Sequence, residues 1–237
     1  MSSEISETPI FLIAEIGINH NGSLELAKQI IEAASDAGFD AVKFQKRTIN
    51  AVYTQEYLDS PRESPWGTTQ REQKEGLEFG LEDYKTLDEH CRRQNILWSA
   101  SCWDVESLHF LQQFDPPFHK VASPMLGHIP LMKELAGQRK RTFISTGMST
   151  LDEIDQIVAL FREAQCPFEL MHCNSTYPMK AQEANLLMIP TLRKRYGIPV
   201  GYSGHESSLL KICITAAALG ATSIERHITL DRAMYDS

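Results

Sequence analysis

Residues 200–205 read V-G-Y-S-G-H and residues 223–232 read S-I-E-R-H-I-T-L-D-R, on either side of a helical run. Each segment has the length and composition of a short buried β-strand, and each carries a histidine, His205 or His227, near its C-terminal end. Strands joined by a helix are typical of a parallel sheet, in which equivalent strand ends lie on the same side. If both strands belong to one parallel barrel, the two imidazoles can share a divalent metal ion.

The same alternation of strand and amphipathic helix extends back to the start of the chain. Strands are predicted at 10–18, 40–45, 96–102, 119–122, 141–146, 168–173, 199–205 and 223–229. Helices are predicted at 24–36, 81–94, 105–114, 129–136, 151–165, 183–196 and 208–219, the sixth kinked or broken at Pro190. This order predicts an α/β protein with a parallel sheet, and eight strands favour a (β/α)₈ TIM barrel over an open sheet. No G-x-G-x-x-G follows the first strand, which removes the main support for a dinucleotide-binding fold.

We interpret residues 1–237 as one barrel domain with a long polar segment at 47–80. That segment is too long for an ordinary strand-to-helix connection and is interpreted as a lid or specificity loop. Helix-capping roles are assigned to Ser23, Thr150, Ser207, Ser208, Gly38 and Gly220. An eighth helix is expected in such a barrel and is missing here, so the chain is interpreted as a fragment or a short relative.

Composition narrows the class of protein. With 42% hydrophobic residues the 237-residue chain can bury a substantial core, and its net charge of −8 argues against nucleic acid as a partner. Five cysteines without C-x-x-C spacing favour a reducing compartment and no disulfides. The N-terminus lacks the features of a signal peptide, and no apolar run approaches the roughly 18 residues of a membrane span. We therefore expect a soluble, cytoplasmic protein.

Polar residues cluster where the predicted strands end, which is where TIM barrels carry their active sites. Side chains alternate along a strand, so parity selects the inward-facing candidates. The candidates are Glu15, Lys43, Gln45, Ser101, Lys120, Ser123, Ser145, His172, Asn174, Ser175, Tyr177, Ser203, His205, Glu225 and His227. The other histidines are interpreted as ordinary surface or loop residues: His20, His90, His109, His119 and His128.

Lys43 and Lys120 are the candidates that are hardest to explain structurally, because a lysine inside a barrel is costly without a counter-charge. Glu15 can pair with one of them, which leaves room for an anionic ligand. For His205 and His227 two interpretations remain: ligands of a metal completed by oxygen donors, or a pair of hydrogen-bonded polar core residues.

Seven motifs occur in order along the chain: A-E-I-G-I-N-H-N-G, V-K-F-Q, K-V-A-S, I-S-T-G-M-S, H-C-N-S-T-Y-P, G-Y-S-G-H and E-R-H-I-T-L-D-R. From about Ile10 onward the chain resembles the N-acetylneuraminate (sialic acid) synthase family, which includes legionaminate and pseudaminate synthases and spore-coat polysaccharide proteins. The resemblance implies a barrel that condenses phosphoenolpyruvate with an N-acylamino sugar such as N-acetylmannosamine. It also implies a divalent metal, Mn²⁺ or Mg²⁺, and a homodimer.

The resemblance assigns a role to each candidate. His205 and His227 match the metal ligands, and Glu15 matches an acid/base carboxylate. The family positions that hold the phosphate and carboxylate of phosphoenolpyruvate correspond to Lys43, Lys120, Ser101, Ser123, Ser145 and Ser203. Sugar-facing positions match Gln45 and Tyr177, with Asn174 and Ser175 as further substrate-binding candidates.

Three positions depart from the family pattern. A common acidic residue is Met125 here, a common asparagine is Ser175, and the common S-D-H reads S-G-H with Gly204. These departures leave the phosphoenolpyruvate-binding positions intact and the identity of the sugar open. Typical members also continue into an eighth helix and a small antifreeze-like domain that reaches into the partner subunit's site, and both are expected to be absent here.

Two other functions stay open. The first is a Schiff-base pyruvate aldolase that uses Lys120 or Lys43, against which the paired strand-end histidines weigh. The second is a non-catalytic barrel that binds a sugar phosphate without turnover.

Overall fold

The computed structural model describes residues 9–177, 179–207 and 209–235. The strands in these ranges are β1 (Phe11–Gly17), β2 (Ala41–Lys46), β3 (Pro61–Ser64), β4 (Gly67–Thr69), β5 (Leu97–Cys102), β6 (His119–Val121), β7 (Thr142–Ser145), β8 (Phe168–Cys173), β9 (Val200–Gly204) and β10 (Ser223–His227). The α-helices are α1 (Leu24–Asp36), α2 (Ile49–Val52), α3 (Gln55–Asp59), α4 (Gln70–Gly76), α5 (Leu81–Arg93), α6 (Val105–Gln112), α7 (Ile129–Gly137), α8 (Leu151–Glu163), α9 (Met188–Tyr196) and α10 (Leu209–Ala218). Short 3₁₀ turns lie at Ser123–Met125 and Ala181–Glu183.

The main sheet is a closed barrel with the strand order β1-β10-β9-β8-β7-β6-β5-β2. Neighbouring strands pair in parallel, as in β2 with β5, β7 with β8, β8 with β9, and β9 with β10. The predicted (β/α)₈ fold is confirmed. Among the described residues, no helix is long and apolar enough to cross a membrane.

Two compact units can be distinguished by the contacts within the chain. Unit 1 comprises the chain up to Ile13 together with Val121–Arg226. Unit 2 comprises Ala14–Lys120 together with the residues from His227 onward.

Helix formation follows from caps and apolar spacing in both units. In α1 the Ser23 hydroxyl accepts a hydrogen bond from the backbone N–H of Leu26, and the buried face is Ala27, Ile30, Ile31 and Ala34. In α8 Thr150 and Glu153 form a reciprocal capping box, and the buried face is Ile154, Ile157, Val158 and Phe161. Both faces repeat at three- and four-residue intervals, which is the period of a helix with one side on a core.

An aromatic cluster joins the helices of unit 2 to its strands. Tyr84 of α5 lies at the centre, with ring centroids 6.2 Å from Phe44, 5.7 Å from Trp98 and 5.4 Å from Phe110. Its hydroxyl donates a 3.1 Å hydrogen bond to the backbone carbonyl of Gln45. This bond holds the C-terminal end of β2 in place, where two candidate side chains lie.

One prediction about local structure was wrong. The helix predicted at 183–196 begins only at Met188, so Pro190 lies in its first turn, where a missing N–H costs nothing, and no break occurs there. The polar segment at 47–80 is folded, with the helices α2, α3 and α4 and an antiparallel β3–β4 hairpin. Its role as a lid or specificity loop stays a prediction.

The capping role of Ser208 lies outside the described residues.

The interpretation of the extra histidines was wrong for His20, His90 and His119, which are buried. The ring of His20 stacks on Phe79 with centroids 4.1 Å apart, and its Nδ1 accepts a hydrogen bond from the Gly22 N–H. Burial, followed by the positive charge of Arg47, lowers the pKa of His20 to about 3. His20 is therefore neutral in the folded protein at ordinary pH.

We expect His20 to make the fold acid-sensitive. Below its ordinary pKa of 6.5, the unfolded chain binds a proton that the folded His20 does not, so the free energy of unfolding falls as the pH falls. As the pH is lowered from 6.5 to about 4.5, the free energy of unfolding should fall for both proteins. The fall should be smaller for His20→Gln than for the wild type, by up to about 2 kcal/mol. Urea unfolding at several pH values measures this, with the exposed His109→Gln as control. Parallel pH profiles of wild type and His20→Gln would contradict it.

Candidate active site

A cluster of buried polar side chains occupies the C-terminal strand ends of unit 2. Lys43 Nζ lies 2.8 Å from Glu15 Oε2 and donates a 2.8 Å hydrogen bond to Ser101 Oγ. Gln45 Nε2 donates a 3.1 Å hydrogen bond to Glu15 Oε1. Glu15, Lys43 and Ser101 are each no more than 3% exposed. Four of the residues selected by strand parity are therefore in one hydrogen-bonded group.

Strand register explains why these residues meet. Lys43 and Gln45 of β2 lie opposite Ser99 and Ser101 of β5, and Ser101 lies opposite Lys120 of β6. Lys120 is 2% exposed. Alternation along a strand directs these positions to the same face. Strand parity read from the sequence thus predicts the correct face on three adjacent strands.

Gly17 leaves space for the Glu15 carboxylate. A Cβ at Gly17 would lie 3.0 Å from Glu15 Oε1 and 3.3 Å from Gln45 Nε2, and its φ of +54° also favours glycine. The backbone of the same strand end is tied to the residue that follows His227. The Ile228 N–H donates to the Glu15 carbonyl at 3.0 Å, and Asn19 Nδ2 donates to the Ile228 carbonyl at 2.9 Å. The side chain of His227 itself is exposed.

Sequence reasoning missed a second group of charges beside the end of β2. Glu78 Oε1 lies 2.7 Å from Arg47 Nε, and Glu78 Oε2 lies 3.3 Å from Lys46 Nζ. Arg47 is 6% exposed. The K-R pair at the end of the strand was the available signal, but nothing in the sequence pairs Arg47 with a glutamate 31 residues away.

Hydroxyl groups converge in unit 1 at the loop after β7. Ser123 Oγ accepts a 3.1 Å hydrogen bond from the Gly147 N–H. A Cβ at Gly147 would lie 2.8 Å from Ser123 Oγ and 2.3 Å from Ser175 Oγ, so only glycine allows this approach. Within the part of the chain that the structure describes, the buried Ser175 Oγ forms no hydrogen bond. Such a hydroxyl costs about 1–3 kcal/mol unless a ligand or water satisfies it.

A cavity of about 590 Å³ within unit 1 is lined in part by Ser175. Its wall is mixed, with polar groups and the apolar side chains of two methionines. The lining includes Thr146, Met148, Asn174, Ser175, Glu183 and Met188. A mixed wall of this kind fits a small polar ligand with an apolar substituent. Ser145, at the end of β7, is 1% exposed.

The imidazole of His205 is oriented by the chain around it. Its Nδ1 lies 2.7 Å from the Asn174 carbonyl oxygen, which can only accept, so Nδ1 carries the proton. The lone pair of this tautomer is on Nε2, as in histidines that bind metals. The Met179 N–H donates to the His205 carbonyl at 3.3 Å, and the ring of the exposed Tyr177 has its centroid 4.8 Å from the imidazole centroid.

Asn174 holds the loop through its side chain as well. Its Nδ2 donates to the Glu183 carbonyl at 2.8 Å, and its Oδ1 accepts from the Thr176 N–H at 2.8 Å. The structure therefore gives Asn174 an orienting role that sequence reasoning missed, while its contact with substrate stays a prediction.

Ser203 and Glu225 pair on adjacent strands of unit 1. They lie opposite one another in β9 and β10, and Ser203 Oγ donates to Glu225 Oε1 at 3.0 Å. Both side chains are buried. The candidate His172 bonds to the main chain instead, since its Nε2 donates to the Ala184 carbonyl at 2.8 Å; burial is the main cause that lowers its pKa.

The model of the NeuB family matches residues 30–237. The chain belongs to the NeuB family. It is 40% identical over 232 residues to N-acetylneuraminate-9-phosphate synthase of Drosophila melanogaster, covering 96% of this chain and 62% of that protein. It is 33% identical to N,N'-diacetyllegionaminic acid synthase of Campylobacter jejuni, covering 94% of this chain and 68% of that protein.

A solved structure of a sialic acid synthetase has the same fold. The N-acetylneuraminic acid (sialic acid) synthetase of Leptospira borgpetersenii superposes with a TM-score of 0.85 and 34% identity, covering 94% of this chain and 74% of that one. The chain spans 62–63% of the length of the fly, mouse and human relatives that it matches.

We expect substitutions of Glu15 and Lys43 to have strongly coupled effects on the free energy of unfolding. Lys43→Met leaves a buried carboxylate without its cation and should lower the free energy of unfolding by about 3 kcal/mol. Glu15→Gln with Lys43→Met removes both charges and should recover most of that loss. Urea unfolding of the two single variants and the double variant measures the coupling, with the exposed Lys133→Met as control. Additive losses would show that the two charges do not stabilise each other.

Proposed function

We propose that the protein condenses phosphoenolpyruvate with an N-acylamino sugar and water, giving a nonulosonic acid and inorganic phosphate. The observation that carries the proposal is the pair of buried lysines at inward strand positions. Lys43 and Lys120 are 3% and 2% exposed. Two fixed ammonium groups at strand ends suit a multiply charged anion such as an enolpyruvate phosphate.

Hydroxyl groups supply the remaining donors for this anion in the proposal. Ser101 lies beside Lys43, and Ser123 lies beside the Gly147 N–H. Ser145 and Ser203 are buried at other strand ends. The unsatisfied Ser175 hydroxyl supports a ligand at the end of β8. Donors held in place before the reaction stabilise the departing phosphate without reorganisation.

In the proposed reaction, carbon 3 of phosphoenolpyruvate attacks the sugar's aldehyde carbon, water adds to carbon 2, and the proton released by the water converts the aldehyde oxygen to a hydroxyl. The tetrahedral adduct then collapses: the bond between carbon 2 and the phosphate oxygen breaks, carbon 2 becomes a ketone, and phosphate leaves with the proton of the carbon 2 hydroxyl. Glu15 stabilises the positive charge that develops at carbon 2 or takes the proton of the water. Lys43 Nζ, 2.8 Å from Glu15 Oε2, holds this carboxylate in position.

His205 and His227 are the residues that we propose to hold a divalent metal. The tautomer of His205 fits this role, because Nδ1 donates to Asn174 and the lone pair is on Nε2. Among the residues described, no group of three or more His, Cys, Asp or Glu side chains could hold an ion, so water and substrate oxygens would complete the coordination. A bound Mn²⁺ or Mg²⁺ would supply Lewis-acid polarisation of the aldehyde.

We propose that the sugar contacts Gln45 and the loop that carries Asn174, Ser175 and Tyr177. The mixed lining of the unit 1 cavity supports a sugar with an apolar acyl substituent. Among the relatives are synthases of N-acetylneuraminate 9-phosphate and of legionaminic and pseudaminic acids, which supports an N-acylamino sugar as a class.

The full-length protein should release phosphate from phosphoenolpyruvate only when Mn²⁺ and an N-acylmannosamine-type sugar are both present. Lys120→Met should lower kcat/KM by about 100-fold or more, because it removes a fixed charge from the anion. Lys133→Met, an exposed lysine of α7, should leave kcat/KM unchanged. A coupled phosphate assay over a panel of N-acyl sugars measures both effects.

Other outcomes would select the alternatives. EDTA-resistant turnover with a borohydride-trapped pyruvate adduct would indicate a Schiff-base aldolase. Saturable sugar-phosphate binding without phosphate release under any condition would indicate a non-catalytic barrel.

A further inference from the structure

A buried ion pair of unit 1 has no role in the proposed reaction so far. Glu206 is 3% exposed and Arg226 is 8% exposed. Arg226 Nη1 pairs with Glu206 Oε1, and Arg226 Nη2 donates to the backbone carbonyl of Glu206. Tyr202 donates a 2.9 Å hydrogen bond from its hydroxyl to Glu206 Oε2. One guanidinium therefore holds both the side chain and the main chain of the same residue.

This pair is adjacent in sequence to both candidate metal ligands. Glu206 directly follows His205, and Arg226 directly precedes His227. Arg226 lies opposite Gly204 in the parallel pairing of β10 with β9. The bond from Arg226 to the Glu206 carbonyl thus fixes the backbone on the C-terminal side of His205.

Gly204 is required by the geometry of the pair. A Cβ at this position would lie 2.2 Å from Arg226 Nη1, 2.6 Å from Glu206 Oε2 and 2.6 Å from Tyr202 Cε1. Any side chain would displace the guanidinium or the carboxylate. The departure from S-D-H to S-G-H is therefore explained by steric exclusion: an aspartate at 204 and this ion pair cannot occupy the same space.

Stability alone is a weak reason for such a pair, because a buried ion pair is often no better for stability than well-packed apolar residues. Its geometric effect is specific, however. His205 is held at its ring by the Asn174 carbonyl and at its own carbonyl by Met179, and Arg226 adds a restraint on the next residue.

We propose that the Glu206–Arg226 ion pair is a positioning device that sets the backbone beside the metal-binding histidines. The inference rests on the proposed function in taking His205 and His227 as metal ligands. Neither Glu206 nor Arg226 is proposed to contact the metal or the substrate. Gly204 and Tyr202 belong to the device, the first by leaving space and the second by fixing the carboxylate.

The test is Mn²⁺ binding to the full-length protein, followed by electron paramagnetic resonance as free Mn²⁺ is titrated, with thermal unfolding measured in parallel. The variant is Glu206→Met with Arg226→Met, which removes both charges together and leaves neither uncompensated. We expect the dissociation constant for Mn²⁺ to rise about 10- to 100-fold, the range for loss of groups that orient metal ligands. The melting temperature should fall far less than it does for Arg226→Met alone.

The matched control is another ion pair of unit 1, which lies at the N-terminal ends of its strands and not at the C-terminal ends, where His205 lies. Arg141 Nη2 lies 3.3 Å from Glu169 Oε2, near the N-terminal ends of β7 and β8. Arg141→Met with Glu169→Gln should leave the Mn²⁺ dissociation constant unchanged whatever it does to the melting temperature. A second test variant, Gly204→Ala, should also weaken Mn²⁺ binding, with Gly137→Ala as control because a Cβ there meets nothing within 4 Å.

The outcomes separate the two proposals. If wild type binds Mn²⁺ and both test variants bind it equally well, the positioning role is overturned and the metal site stands. If wild type binds no Mn²⁺, the metal part of the proposed function fails and the positioning role fails with it. If the Met–Met variant does not fold, Gly204→Ala decides the question.

Discussion

The ammonium group of Lys43 is the charge on which the rest of the candidate site depends. It is almost fully buried, between the Glu15 carboxylate and the Ser101 hydroxyl, each 2.8 Å away. A charge in such a place is tolerated only with partners that satisfy it, so the strand ends around it must be polar. That requirement explains the hydrogen bond that Gln45 donates to the other carboxylate oxygen of Glu15. It also explains the glycine at position 17, where a side chain would crowd the carboxylate. In the proposed reaction, this arrangement holds the Glu15 carboxylate in position for its role near carbon 2 of the substrate.

The strand ends of unit 1 carry neutral donors and orienting contacts. Ser123 and Ser175 approach the Cα of Gly147, and the hydroxyl of Ser175 has no partner within the described ranges. The Asn174 carbonyl sets the tautomer of His205, and the Glu206–Arg226 pair restrains the residue that follows. Glycine is needed at 147 and at 204 because side-chain atoms of other residues occupy the space of a Cβ. These two positions show how closely the loops at the strand ends are packed.

The alternation of strands and helices in the barrel could be predicted from the sequence, because the longer helices, such as α1 and α8, have a regular buried face. The inward parity of Lys43, Gln45 and Ser101 is also a property of the sequence once the strands are located. Long-range pairing could not be predicted: nothing near Glu206 indicates Arg226, and nothing near Arg47 indicates Glu78. The error at Pro190 arose because a proline in a first turn and one in a helix interior look alike until the start of the helix is known. His20 was misjudged because only the tertiary structure places Phe79 against its ring.

The most direct measurement is a crystal structure of the full-length protein with phosphoenolpyruvate and Mn²⁺. We predict oxygen atoms of the bound phosphoenolpyruvate within about 3 Å of Lys43 Nζ and Lys120 Nζ, and Mn²⁺ bound to Nε2 of His205. Phosphoenolpyruvate bound away from both lysines, or a pyruvate unit covalently attached to either of them, would contradict the proposed chemistry.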